Sequence, residues 1–179
     1  MFLNFFKNKL AAAPDVSLDD IPRLEATALA GIILADYEEF RPVAYHATED
    51  ERRRGIYTVG FGRTVGVKAG DRISYSDACH DLKDRINSLI SQLKGWNSAL
   101  FTQFTPGQVA ALVSLLYNVG EGNFTGGATF KSFLAGDVRG IIEHGFDKEK
   151  GFVKQSGKIL RGLVDRREKE STLLLADLK

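Results

Sequence analysis

The chain has 179 residues, 44% hydrophobic and 26% charged, enough to close one domain around a sizeable core and too apolar for a disordered or collagen-like chain. A lone Cys79 and three separated histidines, His46, His80 and His144, exclude an internal disulfide and a zinc module built on closely spaced His and Cys, so no metal site is expected. Lys plus Arg number 24 against 23 for Asp plus Glu, a net charge of +1, which lacks the overall cationic field of a dedicated nucleic-acid binder and leaves polyanion binding to a local patch.

Residues 1 to 20 open with Met1-Phe2-Leu3-Asn4-Phe5-Phe6-Lys7-Asn8-Lys9. Apolar residues precede the lysines, the reverse of a secretory signal, so this stretch reads as an N-terminal tail on a domain spanning 21–179. The apolar run Ala26 to Ala35 is far shorter than the ~20 residues that cross a bilayer and reads as a core helix. Pro22 suits the first turn of that helix, and Leu24, Ala28, Gly31, Leu34 and Ala35 recur at helical spacing up to Tyr37-Glu38-Glu39. Val43 and Tyr45, then Tyr57 to Phe61, alternate as strands do. Between them the polar stretch His46 to Gly55 reads as a long, charged hairpin tip.

From Ser76 the set Ala78, Leu82, Ile86, Leu89, Ile90 and Leu93 predicts an amphipathic helix ending at Gly95. Thr105-Pro106-Gly107-Gln108 supplies an N-cap, a proline at the first helical position and a capping-box Gln. The helix that follows carries Val109, Leu112, Val113 and Leu116 in a stripe and stops at Gly120. Thr129–Leu134 and Val138–Phe146 read as shorter helices around Gly136-Asp137, and Leu160–Leu178 as a long terminal one. The fold class is therefore α+β, mostly α, with one small hairpin sheet on the N-terminal side.

Glu38 follows Gly31, Leu34 and Ala35 by seven, four and three residues, so a helix would set its carboxyl at the end of an apolar face. Poor solvation there favours a protonated acid able to protonate a leaving oxygen. The plainer reading is a solvated helix end paired with Arg41. The hairpin adds Glu49, Asp50 and Glu51 at its tip and Thr58 on its return strand, and two acids facing across a cleft are the minimal apparatus for cutting a glycosidic bond. Against this, three acids followed by Arg52, Arg53 and Arg54 read equally as a solvated loop pairing its own charges. Gly60 and Gly62 suit either close approach of a ligand or a bulge.

Over about residues 24 to 175 the chain resembles the phage-type lysozymes, the endolysin muramidases. The resemblance rests on Glu38-Glu39-Phe40-Arg41-Pro42-Val43-Ala44-Tyr45, on Tyr57-Thr58-Val59-Gly60-Phe61-Gly62-Arg63-Thr64, on Thr105-Pro106-Gly107-Gln108 with Ala111 to Ser114 and Tyr117-Asn118-Val119-Gly120, and on Gly162-Leu163-Val164-Asp165-Arg166-Arg167-Glu168. It implies a lysozyme-like fold, a small β-hairpin lobe and a larger helical lobe with the active cleft between them. It also implies Glu38 as proton donor, a hairpin acid as second carboxylate, Thr58 positioning the attacking water and Asn118 contacting sugar. The chain departs from the family's usual pattern at Glu39 (commonly Gly) and Arg63 (commonly His). Counting forward from Glu38 to the family's Asp lands on Ala47, and counting back from Thr58 lands on Arg52. The hairpin thus carries extra residues, and Asp50 is taken as the second carboxylate with Glu49 and Glu51 as alternatives.

The segment Lys148 to Arg167 holds seven cations against Glu149 and Asp165, a patch suited to an anionic cell wall or outer-membrane surface or, equally, a solvated face in which Arg166 or Arg167 pairs inward. Tyr117, Phe124, Phe130, Phe133 and Phe146 read as core, and Trp96 as an exposed aromatic in a polar loop. The resulting expectation is a monomeric, cofactor-free endolysin that hydrolyses the bond between N-acetylmuramic acid and N-acetylglucosamine. It is made in the bacterial host cytoplasm without a cleavable signal and acts on peptidoglycan in the periplasm, with neither nucleic acid nor stable membrane insertion involved. The rivals are a non-catalytic peptidoglycan-binding or virion-structural protein of the same fold and a lytic transglycosylase.

Overall fold

A computed structural model describes residues 20–155 and 157–176; the expected N-terminal tail lies outside the described residues. The first helix, α1 (Ile21–Tyr37), starts with proline in its first turn and buries Ala26, Thr27, Ala30, Gly31 and Leu34. Strand β1 (Arg41–Tyr45) pairs antiparallel with β2 (Thr58–Gly60), Arg41 facing Gly60 and Tyr45 facing Thr58. Four residues on one strand thus span two on the other, a bulge that bends the hairpin. The segment after β2 returns to the sheet, with Val43 bridged to Arg72 and Ile73 N–H donating to Pro42 C=O at 3.0 Å.

The stretch read as a polar hairpin tip contains a helix, α2 (Glu49–Arg54), made wholly of charged residues. Thr48 caps its start and Gly55, left-handed at φ 65°, ends it. Three acids in the first turn and three arginines in the last match the helix dipole. Ion pairs Glu49–Arg52, Asp50–Arg53 and Asp50–Arg54 then join residues three or four apart.

Helix α3 (Tyr75–Trp96) is capped by Ser74 and buries Ala78, Cys79, Leu82, Ile86, Leu89, Ile90 and Leu93, the stripe its spacing predicts. After the single turn α4 (Leu100–Gln103), helix α5 (Pro106–Val119) carries the complete capping box between Thr105 and Gln108. Every residue from Gln108 to Leu116 is buried, so α5 is the hub of the core rather than a half-exposed helix. Gln108 also donates to Leu174 C=O at 3.1 Å, tying the hub to the last helix.

Helices α6 (Glu121–Thr125), α7 (Ala128–Leu134) and α8 (Val138–Ile141) follow. A π-helical turn, Ile142–Phe146, extends α8. A second small hairpin, β3 (Lys154–Gln155) with β4 (Lys158–Ile159), precedes α9 (Arg161–Leu175).

Phe124, Phe133 and Phe146 are buried as expected, and Tyr117 and Phe130 pack partly buried against the same core. Trp96 departs from its reading as an exposed aromatic. It ends α3, and its ring stacks on Phe124 at 5.9 Å and meets Phe130 edge-on at 5.4 Å. The helix runs one residue past Gly95, so Trp96 is its last residue rather than part of a polar loop. No helix among the described residues is long and apolar enough to cross a membrane.

Thr105→Ala removes one half of the capping box at the start of the hub helix and should cost about 1 kcal/mol. Urea unfolding should show a lower midpoint with an unchanged slope.

Candidate active site

Glu38 sits where α1 stops. Its N–H still bonds Leu34 C=O at 2.8 Å, but its backbone is extended (φ −96°, ψ 113°), which turns the side chain away from the helix axis. Its carboxylate Oε1 accepts from Arg166 Nη1 at 2.9 Å, and the side chain remains 26% exposed. The expected partner Arg41 pairs with Glu39 instead, at 2.7 Å.

Arg166 is only 5% exposed and is held from four sides. Its Nη2 donates to Ser114 C=O at 3.2 Å and to Ser114 Oγ at 3.1 Å, and its Nε donates to Glu170 Oε1 at 3.2 Å. The Tyr37 ring lies 5.1 Å from the guanidinium carbon. Glu170, fully buried, also meets Arg167, with Nη2 to Oε1 at 3.0 Å and Nε 2.6 Å from Oε2. Burial pushes the Arg167 guanidinium below its usual range, and Glu170 opposes that shift. The inward-paired alternative for the basic C-terminal segment therefore holds for both arginines.

On the hairpin, the three candidate acids point in different directions. Glu49 faces Arg52 at 3.7 Å, and Asp50, 58% exposed, faces Arg53 and Arg54 at 3.5 and 3.3 Å. Glu51 is the acid brought to Thr58. Its Oε2 accepts from Thr58 Oγ1 at 3.1 Å and from Ala47 N–H at 2.6 Å, while Glu51 N–H donates to Thr48 Oγ1 at 3.1 Å. The signal that singles out Glu51 is Thr48-x-x-Glu51, a Thr and a Glu at capping-box spacing that turns this side chain back toward the chain entering the helix. Thr58 itself is buried in β2. Burial pushes the Tyr45 phenol above its usual value; the Arg41 charge opposes that shift, and Glu51, Glu39 and Glu38 add to it in decreasing order.

A cavity of about 490 Å³ opens where the chain leaves β2, lined by Phe61, Gly62, Arg63, Asp81, Arg85 and Tyr117; Glu38, Glu51 and Thr58 are not part of its lining. Arg63, at the family's usual His position, pairs with Asp81 at 2.9 Å. The Tyr117 hydroxyl donates to Phe61 C=O, joining the helical lobe to the hairpin lobe. Gly62 adopts φ 103°, and a Cβ there would lie 3.0 Å from the Tyr117 oxygen, so the close approach requires glycine. Asn118 is exposed on the next position of α5. Among the described residues no group of three or more His, Cys, Asp or Glu could hold a metal ion.

A family model described as phage lysozyme matches residues 35–170. The endolysin of Acyrthosiphon pisum secondary endosymbiont phage 1 is 29% identical over 142 residues, 79% of this chain and 92% of that protein. The endolysin of Bacillus phage B103 is 33% identical over 148 residues, 82% of this chain but 52% of its own length, so the chain spans about half of that relative. Among solved structures, the active form of P1 phage endolysin Lyz matches with a TM-score of 0.70 at 22% identity, covering 99% of this chain and 95% of that one. An endolysin from Escherichia coli O157:H7 phage FAHEc1 matches at 0.63 and 25% identity, covering 84% and 92%.

Tyr117 is pushed up to about 12, first by burial and then by the Glu38 charge. A folded pKa above the unfolded one, ~10, means that stability held by the neutral phenol is complete below pH 10 and is lost as pH rises toward 12. Tyr117→Phe should be less stable than the parent by about 1 kcal/mol at pH 7, the worth of one hydrogen bond. That gap should close between pH 10 and 12, as read by denaturant titration of both proteins at each pH.

Proposed function

The chain belongs to the phage lysozyme family, and from that premise we propose that it is an endolysin that hydrolyses the β-1,4 bond between N-acetylmuramic acid and N-acetylglucosamine in peptidoglycan. The observations that carry this reading are the hydrogen bond between Glu51 Oε2 and Thr58 Oγ1 on the hairpin and the hold of Arg166 on Glu38 at the end of α1. Two carboxylates held by different lobes, with a hydroxyl next to one of them, meet the needs of glycoside hydrolysis.

In this mechanism the Glu38 carboxylate, paired with Arg166 at rest, takes a proton from solvent and delivers it to the bridging oxygen as the bond to the anomeric carbon breaks. Glu51 steadies the oxocarbenium-like charge at that carbon and accepts the proton of the incoming water, which Thr58 Oγ1 orients. Arg166 fixes the direction of the Glu38 carboxylate, so the acid enters the cleft in one rotamer. We assign the second carboxylate to Glu51, one of the two alternatives to Asp50, because Asp50 already faces Arg53 and Arg54. The cavity beside the Tyr117 ring is the space we assign to a neighbouring sugar of the same strand, and Asn118, exposed on the next position of α5, is assigned a sugar contact by the family resemblance alone. No cofactor enters any step.

Glu38→Gln and Glu51→Gln should each slow lysis of permeabilised cells by roughly 10²–10⁴-fold, the range of general acid–base catalysis. Asp50→Asn should stay within about twofold of the parent, as exposed substitutions do. Sensitivity at Asp50 with tolerance at Glu51 would overturn the assignment of the second carboxylate. The mass of released muropeptides decides the reaction class. Products one water heavier than anhydro-ended fragments indicate hydrolysis, anhydro ends indicate a transglycosylase, and no release indicates a binding protein.

A further inference from the structure

Charge is distributed unevenly along the chain. Residues 148–161 contain Lys148, Lys150, Lys154, Lys158 and Arg161 against Glu149 alone, net +4 within a chain whose total is +1, so the remainder is net −3. All five cations are exposed, and among the described residues none of them forms an ion pair. The only aspartate in the preceding turn, Asp147, spends its Oδ1 on the backbone N–H groups of Glu149 and Lys150 at 2.9 and 2.8 Å. Such a concentration of unpaired positive charge is maintained against its own repulsion.

The backbone gives this charge a rigid mount. Val153 is fully buried, and its carbonyl accepts from Leu160 N–H at 2.9 Å, so the hairpin β3–β4 is rooted in the core at its base. Beyond that base Lys154 stands opposite Ile159, and Gln155 stands opposite Lys158. Ile159 is 51% exposed and Leu160 38% exposed. A basic ridge thus carries two adjacent large apolar side chains open to solvent.

We propose that this ridge, β3–β4 with the turn before it and the start of α9, is a docking surface for a bilayer rich in anionic phospholipid. The five cations supply attraction to phosphate headgroups, each Lys or Arg raising partitioning roughly fivefold near such a surface. Ile159 and Leu160 supply what a hydrated wall polymer has no use for, apolar surface that enters the boundary between headgroups and acyl chains. The contact is peripheral: the hairpin lies on the membrane face while the cleft between the lobes stays in water. Its effect is to hold the protein at the membrane face without taking part in bond cleavage.

The test is co-sedimentation of the full chain with vesicles of pure phosphatidylglycerol and of pure phosphatidylcholine over a range of salt concentrations. Binding is expected to phosphatidylglycerol only, weakening as salt rises. Changing Lys150, Lys154 and Lys158 together to Gln should lower partitioning roughly hundredfold. Changing Ile159 and Leu160 to Ser should lower it at every salt concentration and leave the salt dependence unaltered. Melting temperature and turnover on short soluble glycan fragments should match the parent in both variants, since none of these residues touches the proposed machinery. Equal binding to both lipids, or triple-Gln binding equal to the parent, overturns the proposal. So does the Ser pair binding as the parent does, or retention on purified sacculi with no binding to either vesicle. Full activity of Glu38→Gln on soluble fragments would overturn the hydrolase reading and, with vesicle binding retained, leave the docking surface standing.

Discussion

Arg166 sets the terms for the helical lobe. A guanidinium this deeply buried is tolerable only if its charge and its N–H donors are met, because an unpaired buried charge costs several kcal/mol even after relaxation. The partners come from three separate elements: Glu38 at the end of α1, Ser114 on α5 and Glu170 on α9 itself. Satisfying one side chain therefore fixes how three helices meet. Arg167 adds a second buried cation on the next residue, its guanidinium lying 5.7 Å from the centre of the Phe146 ring. Glu170 faces both arginines, so its single negative charge leaves one positive charge over. Glu38 closes that balance. The carboxylate to which we assign the acid's role is also the fourth charge that lets the C-terminal helix pack, which couples the proposed site to folding more tightly than a surface acid would.

The second carboxylate is held in the opposite way. Glu51 is held by near neighbours in the chain, Ala47 and Thr48 before it and Thr58 seven residues after it. An exposed helix of six charged residues would be marginal by itself. Capping at both ends, dipole-matched charges and the strands on either side hold it in register. The inserted residues that break the family's spacing form this helix, and the helix chooses which acid faces Thr58.

This explains what could be read from the chain and what could not. The stripes of α3 and the capping box at Thr105 and Gln108 were legible because they are local patterns with a single physical solution. Glu38 was legible through the apolar face leading up to it, although its cation was not: Arg166 lies 128 positions away, and the nearer Arg41 offered a simpler partner. Residue counting reached Ala47 from one side and Arg52 from the other and could not choose the acid, since counting treats an insertion as loop and ignores that helix formation rotates each successive side chain by 100°. Thr48 and Glu51 held the needed information, but among so many charged neighbours their spacing read as part of a solvated loop. Trp96 was misread because helix length, not the polarity of its neighbours, decides which way an indole at the last turn points. The β3–β4 hairpin was hidden for a related reason, as two-residue strands are too short to show alternation.

Since one carboxylate belongs to each lobe, the distance between them depends on the joint, and the joint centres on Phe61. Its ring packs against Phe40 at 5.6 Å and Tyr75 at 5.8 Å, while Phe40 and Tyr75 meet edge-on at 5.1 Å. Its carbonyl accepts the Tyr117 hydroxyl, and Gly62 beside it leaves that hydroxyl room. Phe40 follows Glu38 by two residues and Phe61 follows Thr58 by three, so the cluster lies within one short segment of each half of the site. Movement of the hairpin lobe as a body would have to shear this aromatic packing, which is dense and has few alternative arrangements. Small rotations about Phe61 would alter the gap between Glu38 and Glu51 with no change in how either acid is held. The spacing of Glu38 and Glu51 thus depends on uncharged aromatic packing as well as on the hydrogen bonds that hold each acid.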